Sequence, residues 1–281
     1  MRWTALLLLS LCLPATAAED VALRAAIEGE HRSAEQKARD ADRRPYETLR
    51  FFGIRPDMTV VEIWPGGGWY SEILAPYLRD QGRLYAAHFN PESSVDYFRR
   101  LYRGYAERIQ ASPGLYGDVT LTVFDPPAHT DIAPPGSADM VLTFRNVHNW
   151  YMRGGGEERL ASAFAAMFRA LKPGGILGVV DHRMPADRPL SAQDASGYMR
   201  QDYVIETAQA AGFRLEESSE LNANPLDDAD HPKGVWTLPP SLRLGEENAA
   251  EYLTIGESDR MTLKFVKPLG NLIAAEPSGG R

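Results

Sequence analysis

The chain has 281 residues, 30 of them basic and 38 acidic, and a formal net charge of −8. That length suffices for one α/β domain with a large core or for two small domains. Basic residues form no cluster along it, so no nucleic-acid partner is expected.

The first elements concern export. Arg2 supplies a positive start, Ala5 to Leu13 form an apolar stretch, and Pro14-Ala15-Thr16-Ala17-Ala18 reads as a small-residue cleavage site. This predicts a secretory signal peptide over 1–18, too short in its apolar part to span a bilayer, and a periplasmic or secreted location. Leu11 before the single cysteine, Cys12, is not small, which argues against lipidation. After cleavage the chain has no cysteine, hence no disulfide and no thiol nucleophile. No later segment holds 18 uninterrupted apolar residues, so no membrane span is expected after the leader is removed.

Residues 19–53 are charged and helical in pattern, with one break at Pro45, and are expected to form an N-terminal cap. A domain over 54–270 follows. Strand-like runs recur at Thr59–Trp64, Arg83–Phe89, Val119–Phe124, Met140–Phe144 and Ile176–Asp181, separated by helical segments at Tyr70–Leu78, Ser94–Ile109, Glu157–Leu171 and Ala195–Ala211. Such alternation predicts a parallel sheet with helices on both faces. Phe213–Glu220 and Met261–Val266 read as a final antiparallel pair. Between them, 221–257 is longer than a hairpin needs. It is either a solvated excursion or a substrate lid, and Trp236, Leu238 and Leu242 are too apolar for a free loop. Residues 271–281 are expected to form a flexible tail, polar over Glu276–Arg281.

Residues 58–79, MTVVEIWPGGGWYSEILAPYLR, carry the strongest signal. An apolar run ends in Glu62, Pro65 and three glycines (Gly66, Gly67, Gly68) follow, and an amphipathic helix comes next. This is the strand, glycine turn and helix of a nucleotide-binding α/β unit. The glycines let the backbone turn through conformations closed to other residues and let a ligand approach peptide N–H groups. The helix N-terminus behind them favours an anionic group.

The spacing, acid-x-W-P-G-G-G, resembles motif I of the class I S-adenosylmethionine-dependent methyltransferases, acidic-x-G-x-G-x-G, with Trp64 at the first glycine. Phe124-Asp125, Ala138-Asp139-Met140-Val141-Leu142 and Leu171-Lys172-Pro173-Gly174-Gly175 fall where that superfamily places its later strands. The wording EIWPGGGWYSEILAPYL, with FRNVHNWY, VVDHR and VWTLPPSL, resembles an exported branch of it over about 40–267. The resemblance implies a Rossmann-like, mostly parallel seven-stranded sheet, S-adenosylmethionine as cofactor and a small-molecule acceptor. It implies that Gly66, Gly67 and Gly68 approach the methionine part and that Glu62 orders the loop and the amino group. Asp125 would accept from the adenine amino group.

Two departures stand out. The second strand ends in His88-Phe89-Asn90, where the family usually carries an acid that holds both ribose hydroxyls. His88 or Asn90 can bond a hydroxyl, but Asn90 can also cap the next helix with Pro91 behind it. The indole of Trp64 would either crowd a cofactor or face its sulfonium.

Ligands of open α/β sheets sit beyond the strands' carboxyl ends. That singles out His148, which could take a proton from a nucleophile, with Asn146, Trp150 and Tyr151 as a pocket wall. Arg145 either binds a carboxylate or pairs with Asp139 or Asp181. A metal is not expected. His88 and His182 would lie roughly 14 Å apart across three strand spacings, leaving only His148 with Asp181 or His182 to share an ion. Two further readings follow from the same residues: a non-catalytic ligand-binding protein reusing the cleft, and a metal-dependent hydrolase or lyase.

Overall fold

The computed structural model describes residues 20–270 with the exception of Arg153. The predicted leader, its Cys12 and the polar tail lie outside the described residues.

The N-terminal cap is four short helices rather than one helix broken at Pro45: α1 Val21–Glu28, α2 Ala34–Ala38, α3 Asp40–Arg43 and α4 Pro45–Phe52. Local chemistry cuts it this way. The Asp20 carboxylate accepts from the Leu23 N–H at the start of α1. Ser33 and Gln36 form a reciprocal capping box at α2, satisfying two amide donors that a helix start leaves open. Pro45 stands at the first position of α4, where a missing N–H costs nothing.

The strands are β1 Thr59–Ile63, β2 Arg83–His88, β3 Thr120–Val123, β4 Ala138–Phe144, β5 Leu171–Met184, β6 Met199–Arg200, β7 Arg214–Ser219, β8 Pro232–Val235 and β9 Arg260–Val266. Seven run in the order β3-β2-β1-β4-β5-β9-β7, and β6 adds an eighth by pairing with the far end of β5. All pairs are parallel except those of β9 with β5 and β7. The expected antiparallel finish is thus present. β5 starts earlier than Ile176 because Leu171 already pairs with Ala138, and an irregularity between Ala138 and Met140 absorbs the Lys-Pro-Gly-Gly stretch.

Between the strands lie α5 Ser71–Leu78, α6 Asp96–Ala111, α7 Pro113–Tyr116, α8 Val147–Tyr151, α9 Gly156–Ala170, α10 Gln193–Ser196, α11 Gln201–Ala210 and α12 Ala249–Ile255. The helix expected over Ala195–Ala211 is divided: α10 ends on Gly197 at φ 76°, and the chain extends as β6 before α11 begins. Among the described residues no helix is long and apolar enough to cross a membrane.

Alternation along the central strands splits the core in two. Val61, Ile63 and Val141 face α9 and α11 through Leu160, Phe164, Met167 and Val204. Val60, Met140 and Leu142 face α1, α4 and α5 through Leu23, Leu49, Phe52, Ile73 and Leu74. Both faces are covered, which is why β1 and β4 read as near-continuous apolar runs. Glu62 shares its face with Val60 and so points toward α5.

Pro76 lies inside α5 and has no N–H for the Glu72 carbonyl one turn back. His31 supplies the donor instead, its Nε2 lying 2.8 Å from that oxygen. A proline in one helix thereby fastens the N-terminal cap to the sheet domain. Segment 221–257 is no free loop. It contains β8 and α12, buries Leu238 completely, and Asn222 donates to Thr48 Oγ1 and Thr262 Oγ1.

Candidate functional site

A cavity of about 740 Å³ opens at the carboxyl ends of β1, β4 and β5. The cap supplies Arg39 and Arg43, the turn after β1 supplies Glu62 to Gly67, and the start of α6 supplies Tyr97 and Phe98. The turn after β4 gives Arg145, Asn146, His148 and Asn149, β5 gives His182, and 235–243 adds Trp236 and Arg243 to the wall. Its size is that of a small-molecule site.

The glycine turn meets expectation in shape. Gly66 has φ 59° and Gly68 φ 85°, and a methyl group built on Gly66 or Gly67 would meet only open space. Gly68 does not line the cavity; it backs onto the Tyr105 ring, 3.0 Å from where its Cβ would stand. Glu62 is buried, and burial pushes its carboxyl up to about 8, with the Ser71 hydrogen bond holding it part-way back. Ser71 Oγ donates to Glu62 at 2.5 Å and in turn accepts from the Tyr105 hydroxyl at 2.8 Å.

Trp64 takes a position the sequence did not specify. Its backbone is left-handed at φ 47°, its indole is buried, and Nε1–H donates to the Phe124 carbonyl at 2.7 Å. Around it stand Phe89, Phe98, Phe124 and Trp150, with ring centroids 4.6 to 6.1 Å away. The indole therefore lies between the cavity and the end of β3. Asp125 does not line the cavity, and neither do His88 or Asn90. His88 is wholly buried. Its Nδ1 accepts from the Phe89 N–H, so Nε2 carries the proton and donates to the Gly66 carbonyl at 3.0 Å. Burial drives its pKa down to about 4. This imidazole braces the glycine turn and has no nitrogen left for a ribose.

Asn90 does not cap a helix, because α6 begins only at Asp96 behind Val95. It accepts from the Glu92 N–H in a local turn and donates to Asp125.

At the β4 end, His148 and Asp181 form a tight pair. Asp181 is fully buried and accepts from the His148 N–H at 3.0 Å, from His148 Nδ1–H at 2.9 Å and from the His182 N–H at 2.8 Å. These bonds fix the tautomer of His148: Nδ1 holds the proton, and Nε2 is a bare acceptor with no hydrogen-bond partner among the described residues. His182 shares a 2.5 Å hydrogen bond with Ser258 Oγ, and its ring lies 5.0 Å from that of His148. Burial first, then His148 and the nearby arginines, push His182 well below the usual imidazole range.

The side chains of Asn146 and Tyr151 take different places. Asn146 donates to the Ile63 carbonyl and to Thr143 Oγ1, tying the β4 turn to β1. Tyr151 packs against Tyr203 away from the cavity, and Trp150 is core. Arg145 pairs with neither suggested acid. Asp139 is held by Lys172 and the Thr59 N–H, and Asp181 by the histidines.

The residues that sequence reasoning missed are the ionic ones. Glu257 accepts from Arg39 at 2.6 Å, from Arg43 at 3.4 Å and from Arg260 at 3.2 Å. Burial alone would raise its pKa, but Arg43, Arg145, Arg260 and Arg39 together hold it at about 2. Arg39 and Arg43 sit one helical turn apart in KARDADRR, which is a weak signal, and nothing local ties them to an acid 218 residues away. His148, Asp181 and His182 also place potential ligand atoms within 4.8 Å of one another, as do Asp227, Asp228 and His231. Asp181 already takes three N–H donors, and Asp227 takes the Tyr198 hydroxyl, His231 and two backbone amides. Both carboxylates are thus engaged as acceptors within the protein.

No family model and no curated protein matches the chain. Solved structures do. The [4+2]-cyclase SpnF is similar at TM-score 0.57 and 19% identity, over 86% of each chain. A protein of Galdieria sulphuraria assigned as a sarcosine dimethylglycine methyltransferase is similar at TM-score 0.56 and 13% identity, over 83% of this chain and 88% of that one. The fold is that of the class I methyltransferases. Phosphoethanolamine N-methyltransferase 2 of Haemonchus contortus, solved with S-adenosyl-L-methionine, is similar at TM-score 0.53 and 15% identity over 88% of this chain and 60% of that one. At such identities the likeness is one of architecture, and it includes a cyclase as well as methyltransferases.

Proposed function

We propose that this chain is an exported S-adenosylmethionine-dependent methyltransferase that acts on a small-molecule acceptor. The observation that carries the reading is His148 on the wall of a methyltransferase-fold cavity, held from behind by the buried Asp181 and with its Nε2 left as a bare acceptor.

The residues fit the cofactor at one end. Gly66 and Gly67 leave an open approach to backbone for the methionine part, and Glu62 stands beside them. Farther along, Trp64, Phe89 and Phe98 line the cavity with aromatic surface against which a base can pack. When bound, the cofactor supplies an electrophilic methyl group. The chain's own contribution is to align the acceptor, exclude water under 235–243, and receive the acceptor's proton at His148 Nε2 while Asp181 stabilises the resulting imidazolium. Export is supported by the apolar leader and small-residue cleavage site.

A second reading, a non-catalytic protein that uses the cleft for another ligand, is favoured by Trp64. The indole screens Asp125 from the cavity, and no acid ends β2. Calorimetric titration of S-adenosylhomocysteine into the chain starting at Glu19 separates the two. Micromolar binding that Gly66→Val abolishes, together with methyl transfer from labelled cofactor that His148→Gln slows at least a hundredfold, supports the first. No heat from folded protein overturns it and leaves the second.

A further inference from the structure

The cavity carries the opposite charge to the chain. Four arginines line it, Arg39, Arg43, Arg145 and Arg243, against two carboxylates, Glu62 and Glu257, in a protein of net charge −8. Burial keeps Glu62 protonated at neutral pH, so Glu257 is the one ionised acid on the wall. Glu257 is itself spent on Arg39, Arg43 and Arg260.

Two guanidinium groups are left short of partners. Arg43 is 2% exposed and lies over the Trp69 ring, yet its Nη1 and Nη2 have no hydrogen-bond acceptor. Arg145, repelled by Arg43 and half-buried, forms no hydrogen bond or ion pair through its side chain with any described residue. Burial, only partly countered by Glu257, lowers its pKa to about 10. Buried guanidinium donors are normally satisfied, so Arg43 calls for an acceptor from outside the chain, and the half-buried Arg145 in the same cavity wall has no acceptor committed to it. Beside them, Tyr70 and Phe144 stack at 3.5 Å and present apolar surface to the same space.

We propose that the arginine end of the cavity binds a carboxylate or phosphate carried on an aromatic or apolar body, with Arg145 making the contact and Arg43 supplying charge behind it. This deepens the methyltransferase reading by naming a ligand chemistry, and it rests on that reading only as to which molecule brings the anion: the acceptor or the amino-acid end of the cofactor.

The test is calorimetric titration of the chain from Glu19 with five probes. Benzoate and phenyl phosphate are set against the neutral benzyl alcohol, and S-adenosylhomocysteine against 5′-methylthioadenosine, which lacks the carboxylate. Wild type and Arg145→Gln are compared, with circular dichroism and melting to check folding. An anion binding at least tenfold tighter than its neutral analogue, with that preference lost in Arg145→Gln, supports the proposal. Loss confined to benzoate or phenyl phosphate assigns the anion to the acceptor; loss confined to S-adenosylhomocysteine assigns it to the cofactor. No preference for anion over neutral probe in the wild type overturns the proposal, whether or not the variant folds. An unchanged preference in a folded Arg145→Gln also overturns it. Benzoate binding without S-adenosylhomocysteine binding keeps the anion site and removes the methyltransferase reading, whereas S-adenosylhomocysteine binding with no preference over 5′-methylthioadenosine and no benzoate binding keeps that reading alone.

Discussion

The two halves of the cavity are built on opposite principles. On the β1–β2 side the polar groups are satisfied internally: Trp64 Nε1 by the Phe124 carbonyl, and His88 by the Gly66 carbonyl and the Phe89 N–H. On the β4–β5 side charge is concentrated and unbalanced, with several arginines around Glu257 and with His148 Nε2 bare. The contrast teaches where specificity resides. A half that has met its own hydrogen-bonding needs offers shape and stacking, whereas a half with donors left over demands a particular chemistry from its ligand.

The comparison can be broken from either side. Trp64→Ala removes the centre of a five-ring cluster and is expected to cost about 3–5 kcal/mol in urea unfolding. It should leave the affinity for benzoate within about twofold, since the ionic half is intact. Glu257→Gln takes the shared carboxylate from three arginines and should cost a similar 3–5 kcal/mol or so. Here, however, benzoate binding should tighten severalfold, because the remaining positive charge is less compensated. Equal ligand effects in the two variants would erase the distinction drawn between the halves.

Glu62 gives a pH-dependent version. Its folded pKa of about 8 lies above the unfolded carboxyl value, so its contribution to stability is fully present below about pH 4.5 and is lost as pH rises through 8. Glu62→Gln should flatten that decline, worth a few kcal/mol, in denaturation series from pH 5 to 9. His88 acts in the other direction. Its folded pKa near 4 lies below the usual imidazole value, so its contribution is complete above about pH 6.5 and fades as pH falls toward 4.

Asp181→Asn should be milder, about 1–3 kcal/mol, because an amide can still accept from part of the three-donor set. It should also release the tautomer of His148, so the ring-nitrogen NMR signals of His148 should change as well. Tyr105→Phe is the smallest, about 1 kcal/mol, through its single bond to Ser71.

Much of this was legible in the chain because local signals carry it. The alternation of strands and helices, the glycine turn after Glu62 and the antiparallel finish appear where the residue patterns put them, since period and turn chemistry act over a few residues. The chain also marked His148 and Asp181 as strand-end residues on neighbouring strands. Failures were of another kind. Asn90 left its expected cap because the chain turns through 91–95 before α6. Arg145 took neither suggested acid because Lys172 and the histidines had claimed them.

Sequence alone therefore determined the class of fold and the end of the sheet at which the cavity opens, both consequences of short-range periodicity and of parallel-strand geometry. Tertiary structure decided everything about the site's character. It brought Arg39 and Arg43 to Glu257 across more than two hundred residues, brought 235–243 into the cavity wall, and turned Trp64 onto the Phe124 carbonyl. Charge compensation and burial depend on what lies across the cavity, and no stretch of sequence specifies its neighbour across a cleft.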